Sequence, residues 1–102
     1  MNGLIGKLTT VPGQRDTMIN ILLKCIRNMP GCLSYIVAKD PEDENALWAT
    51  EVWDSKESHD ASLSLPEVKE AIAAAKPIVA GFAARYTTTP VGGVGLPETA
   101  GR

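Results

Sequence analysis

The spacing of apolar positions changes character several times along the chain. Leu4 to Thr10 is a short run of β-compatible residues closed by Pro12-Gly13, which predicts a first strand and a stop. From Gln14 to Met29 the interval becomes helical. Met18, Leu22, Cys25 and Met29 recur at spacings of three and four, with Ile19 and Ile26 beside them, and together they form one apolar stripe. Asp16 near the start and Lys24 and Arg27 near the end suit the helix dipole, and Pro30-Gly31 ends the helix. Cys32 to Lys39 and Ala46 to Trp53 read as strands joined by the polar turn Asp40 to Asn45, a hairpin. Asp54 or Ser55 caps the helix that follows, with Glu57 and Ser58 in its first turns. Leu65-Pro66 interrupts that helix. Pro66 fits the first turn of an alanine-rich segment, Glu67 to Lys76, which Pro77 stops. Phe82 to Thr89 alternates and is the last strand.

This order, β-α-β-β-α-β, predicts an α+β domain of the ferredoxin-like arrangement over residues 1–89. Residues 90–102 hold four of the nine glycines and two prolines and predict a loose arm, or one that orders only against a partner. Helices cover one face of such a sheet. Yet the third strand carries Trp48, Thr50 and Val52 on one side and Leu47, Ala49, Glu51 and Trp53 on the other, and the second strand is similar. A sheet apolar on both faces calls for a second layer. A two-fold copy of itself is the simplest supplier, giving a dimeric α/β barrel.

Composition narrows the partners. The chain has 102 residues and a formal net charge of −2, with lysines and arginines scattered singly, so nucleic-acid binding through phosphate neutralisation is not expected. The spacing of Cys25 and Cys32 is neither a zinc nor a thioredoxin signature, and both read as small buried hydrophobes. No metal site is expected. Met1-Asn2-Gly3 opens no basic or long apolar stretch, so the expectation is a cytoplasmic protein with no membrane span.

The stretch from Leu47 to Ala73, LWATEVWDSKESHDASLSLPEVKEAIA, resembles the antibiotic biosynthesis monooxygenase family, which includes quinol monooxygenases and haem-degrading enzymes. The markers are Glu51-x-Trp53 ending a strand, Asp54-Ser55 starting a helix, and Leu63 and Pro66 leading into another; the Pro30-Gly31 break also matches. With the earlier elements the likeness runs over about residues 3–89 and leaves out the arm. The resemblance implies a homodimer whose two sheets form one barrel, with a pocket in each subunit between sheet and helices. It also implies oxygen chemistry without a cofactor, in which a deprotonated phenol or quinol reduces O2 directly. Such chemistry needs an apolar cavity, a base near the substrate hydroxyl, donors for the developing anion and exclusion of water.

Trp53 matches the family tryptophan that lines the pocket and can donate from its indole nitrogen; the plainer reading is a core aromatic. Trp48, an odd number of residues away, should face the opposite side and serve packing. His59 is the sole histidine and falls six residues after Trp53, where some polyketide-type relatives carry a pocket tyrosine. A histidine, with a free pKa of about 6.5, can take a phenolic proton near neutrality; alternatively His59 sits solvated between charged neighbours. Lys69 falls near a cationic position of those relatives, or it pairs with Glu67 or Glu70 on the surface. Ser62 stands nine residues after Trp53, where quinol monooxygenase relatives usually have histidine, and Ala49 stands where polyketide-type relatives have asparagine. Both count as candidate substrate contacts. Glu51 is either a further contact or one half of a structural pair with Arg85. Haem-degrading relatives need an asparagine on the first strand and a histidine ending the second helical region. Here those stretches read Ile5-Gly6-Lys7-Leu8 and VKEA followed by Ile72, which offer no axial ligand. The expected activity is therefore a cofactor-free monooxygenase acting on a phenolic, quinol or polyketide-like molecule. The alternative is a non-catalytic barrel that binds a small apolar ligand or acts in a stress response.

Overall fold

A computed structural model describes residues 1–96. Its elements are β1 (Asn2–Thr10), α1 (Arg15–Cys25) with a 3-10 turn at Ile26–Asn28, β2 (Cys32–Lys39), β3 (Ala46–Trp53), α2 (Lys56–Ser62), α3 (Pro66–Ala75) and β4 (Val79–Thr88). The four strands form one antiparallel sheet in the order β2-β3-β1-β4, which is the ferredoxin-like α+β arrangement. Residues 90–96 carry no helix or strand, and Val91 and Val94 are exposed. The remainder of the arm, 97–102, lies outside the described residues.

Two boundaries differ from the sequence reading by three residues or more, each for a local reason. The first helix stops at Cys25 and tightens into a 3-10 turn, leaving Met29 extended (φ −118°, ψ 106°). Pro30 disfavours the helical conformation at the residue before it, so the helix ends in a short 3-10 turn. β4 starts at Val79 rather than Phe82 because its alternation is broken twice. Lys7 pairs with Ala84 but Leu8 with Phe82, and Thr9 pairs with Gly81 but Thr10 with Val79. Ala83 and Ala80 are thus extra residues, β-bulges that a strict period of two conceals.

The helix layer closes over one sheet face. Met18, Leu47 and Ala75 form its buried centre, with Leu8, Ile19, Leu22, Val37, Ile78 and Val79 packed around them. Trp53 and Leu47 are the largest fully buried side chains; burying a leucine of this kind is worth about 1.5–3 kcal/mol. Arg15, at the start of α1, donates through Nη1 to the carbonyls of Asp43 (2.9 Å), Asp40 (3.3 Å) and Ala46 (3.4 Å), so the β2–β3 turn is tied to the helix. The opposite face is open. There Trp48 Nε1 donates to Asp40 Oδ2 at 2.9 Å, Lys7 Nζ lies 3.3 Å from the same oxygen, and Lys7 stands 5.8 Å over the Trp48 ring. Ile36 and Tyr86 on this side are 58% and 59% exposed.

Candidate active site

The site grows from the end of β3. Alternation along that strand puts Ala49, Glu51 and Trp53 on the helix side, and pairing sets Tyr35 of β2 opposite Glu51. Trp53 Nε1 donates to Glu51 Oε1 at 2.9 Å. The chain then turns sharply. Asp54 N donates to Gly31 O at 2.9 Å, and Ser55 caps α2 by accepting from Ser58 N at 3.1 Å. One turn later His59 stands against Trp53, ring centroids 5.3 Å apart at 77°, an edge-to-face contact. Ser62, buried, donates from Oγ to His59 O at 2.6 Å and steadies that turn.

These groups edge a cavity between sheet and helices. It has two lobes, of about 220 and 840 Å³, which share Met18, Leu22, Tyr35, Glu51, His59, Ile72 and Ala75. The smaller lobe reaches Cys25, Trp53 and Ser62; the larger runs over Ala49 to Phe82 and Arg85 on β4. Aliphatic walls with a few polar groups on one side are the usual make-up of a small-molecule site. Burial raises the Glu51 carboxyl above its ordinary value, opposed by the Trp53 hydrogen bond and by the nearness of His59. Burial first, and then the charge of Glu51, push the Tyr35 phenol up strongly, so it stays a neutral hydroxyl. His59 is 26% exposed at its side chain, with Nδ1 3.4 Å from Asp60 Oδ1.

The structure thus brings Trp53, His59, Glu51, Ser62 and Ala49 to one cavity, while Lys69 is exposed on α3 and lines neither lobe. The expected Glu51–Arg85 pair is not formed. Glu51 is held by the Trp53 indole two residues along its own strand, and Arg85 stacks 4.8 Å over the Phe82 ring. That bond also occupies the indole N–H that sequence reasoning offered to a substrate. The cysteines are free and half-buried rather than fully buried; burial raises both thiols, and Cys25 lines the smaller lobe. Tyr35 was not singled out from the sequence. Its place follows from the β2–β3 register, which a bulge at Leu33 shifts. Among the described residues no cluster of potential metal ligands occurs, and no helix is long and apolar enough to cross a membrane.

Comparison with known proteins agrees with this architecture. The family profile described as antibiotic biosynthesis monooxygenase matches residues 1–74. The crystal structure of a protein from Chloroflexus aurantiacus J-10-fl, assigned to the same family, superposes with a TM-score of 0.91 at 56% identity, covering 94% of this chain and 98% of that one. A Deinococcus radiodurans protein of the same assignment gives a TM-score of 0.75 at 24% identity over 92% of this chain and 96% of its own. One from Bacteroides thetaiotaomicron VPI-5482 gives 0.77 at 16% over 88% and 90%; these last two likenesses concern the fold alone. No curated protein matches the chain. With the sheet order, the Glu51-x-Trp53 strand end and the profile match in agreement, the chain belongs to the antibiotic biosynthesis monooxygenase family.

Proposed function

We propose that the protein is a cofactor-free monooxygenase of a hydroxylated aromatic molecule, working as a homodimer. The observation that carries the reading is that Trp53 holds Glu51 through its indole nitrogen and meets His59 edge-to-face at the wall of a largely apolar cavity. An aromatic ring packs against Met18, Leu22 and Ile72, and His59 takes its hydroxyl proton. The resulting anion is electron-rich enough to reduce O2, and the aliphatic walls keep water from returning the proton. For a hydroquinone the atoms balance without an outside reductant. One oxygen atom becomes a new ring hydroxyl, and the two original hydroxyls become carbonyls. The second oxygen atom leaves as water with the two hydrogens lost. All the electrons come from the substrate. The open sheet face, with Ile36 and Tyr86 uncovered, is the surface for the second copy.

Oxygen uptake against a panel of hydroquinones and naphthols tests the reaction. Uptake above the uncatalysed rate is expected for at least one of them. His59→Ala should lower turnover about a hundredfold, the low end for a lost general base, and Trp53→Phe less. An inert panel would overturn the reading in favour of a ligand-binding barrel, and full turnover by His59→Ala would remove the base assignment.

A further inference from the structure

Arg85 lines the larger lobe, and so does Lys76 at the end of α3. No described carboxylate forms an ion pair with either of them. The Arg85 guanidinium is nevertheless seated, 4.8 Å over the Phe82 ring. Phe82 and Arg85 are three residues apart, and in a regular strand an odd interval puts two side chains on opposite faces. The bulge at Ala83 cancels that offset. Phe82 pairs with Leu8 and Arg85 with Gly6, and those two partners stand opposite Leu47 and Ala49 on the cavity side of the sheet. The irregularity in β4 therefore sets ring and cation side by side on the cavity wall. The ring covers one face of the guanidinium and leaves its N–H edge for an acceptor.

The floor in front of Arg85 is low. Gly6, its pairing partner, has no side chain, and a Cβ built there would meet only Ala84 O, at 3.9 Å. The next residue across the sheet is Ala49. Two strand spacings put Ala49 about 10 Å from Arg85, roughly the length of a two-ring aromatic. Glu51 and His59 line the same lobe, and Glu51 repels an anion that Arg85 attracts. We propose that Arg85, seated on Phe82, binds the carboxylate of an aromatic acid whose ring lies over Gly6 and Ala49. The planar fork of a guanidinium matches a carboxylate at two points, which a lysine cannot do. The inference names a substrate class for the reaction proposed above, and it rests on that reading only in setting the hydroxyl of the ring at His59. The trough opens on the helix side of the sheet, away from the face assigned to the second copy.

Calorimetry in neutral, oxygen-free buffer tests the binding apart from turnover. The probes are 6-hydroxy-2-naphthoic acid, its uncharged amide and 2-naphthol. The intact protein should bind the acid about tenfold more tightly than the amide, at the low end for a hydrogen bond between charged groups because Arg85 is exposed. The advantage should shrink as salt is raised. In Arg85→Gln acid and amide should bind alike, with 2-naphthol unaffected, and Phe82→Leu should lose part of the advantage by removing the seat. An acid bound no better than the amide by the intact protein overturns the proposal, and that comparison decides the matter if Arg85→Gln fails to fold. An advantage that survives Arg85→Gln, or that falls only in Lys76→Gln, overturns it as well. The two readings fail separately. Oxygen uptake on neutral hydroquinones without any preference for the acid sinks the carboxylate site alone, whereas a preference for the acid without oxygen uptake on any ring sinks the reaction alone.

Discussion

Gly31→Ala should be far more damaging than Gly13→Ala, although both glycines have nearly the same backbone. Gly31 has φ +83° and Gly13 φ +81°, a region where an added Cβ costs about 1–2 kcal/mol. That term is common to both. The surroundings differ. A Cβ on Gly13 would meet nothing within 4 Å, whereas one on Gly31 would lie 2.5 Å from Ser58 Cβ, 2.6 Å from Ser58 Oγ and 2.8 Å from Asp54 Oδ1. Ser58 cannot step aside freely, because its N–H donates to the capping Ser55 Oγ and Asp54 N donates to Gly31 O. Overpacking a constrained site adds about 1–3 kcal/mol. Gly31→Ala should therefore cost about 2–5 kcal/mol against about 1–2 for Gly13→Ala. At about 4–8 °C per kcal/mol for a domain of this size, the separation in Tm is at least about 4 °C. Thermal unfolding followed by circular dichroism measures both. Equal melting temperatures for the two variants would mean that α2 is not pinned against the start of β2, and the placing of His59 would lose its structural basis.

Other consequences can be measured directly. The hydrogen bond from Trp48, with those from Glu42 N and Lys7, brings the Asp40 carboxyl from 3.8 down to about 2. Because the folded value is the lower one, its contribution is whole above about pH 4 and is lost as pH falls towards 2. Asp40→Asn should therefore flatten that part of the Tm–pH curve, and an unchanged acid limb would refute the network. Ser62→Ala removes the 2.6 Å bond to His59 O and should cost about 1 kcal/mol, seen as a lower Tm. If the open face carries the proposed second copy, the parent should run as a dimer by light scattering and Ile36→Asp, which puts a charge on that face, as a folded monomer; an unaltered dimer would move the interface elsewhere.

Periodicity and punctuation carried most of the fold. Pro12-Gly13, Pro30-Gly31 and Pro66 mark the breaks between elements, and both strands of the hairpin lie where alternation and the polar turn put them. The bulges were illegible, because an extra alanine in an alanine-rich strand leaves no trace in the hydrophobic pattern. The cavity was legible where residues share one strand, as with Ala49, Glu51 and Trp53, or follow it at once, as with His59. It was not legible across strands. The position of Tyr35 depends on register, and the partner of Glu51 on whether Arg85 or the nearer indole reaches it first. Chain distance favoured the indole: two residues apart on one strand face, the pair meets without any tertiary adjustment.

The bulges at Ala80 and Ala83 have a consequence beyond shifting the register. β4 lies at the margin of the sheet with its outer backbone groups unpaired by any described strand. An uninterrupted ten-residue strand in that position would offer a straight template on which a strand from another molecule could add, and then another. Each bulge bends the strand and puts two residues where an incoming one expects a single partner, so a foreign strand falls out of step after only a few bonds. The irregularity that hid the start of β4 from the sequence pattern thus acts as a guard on solubility. Deleting both Ala80 and Ala83 to restore strict alternation would be a way to make this protein aggregate.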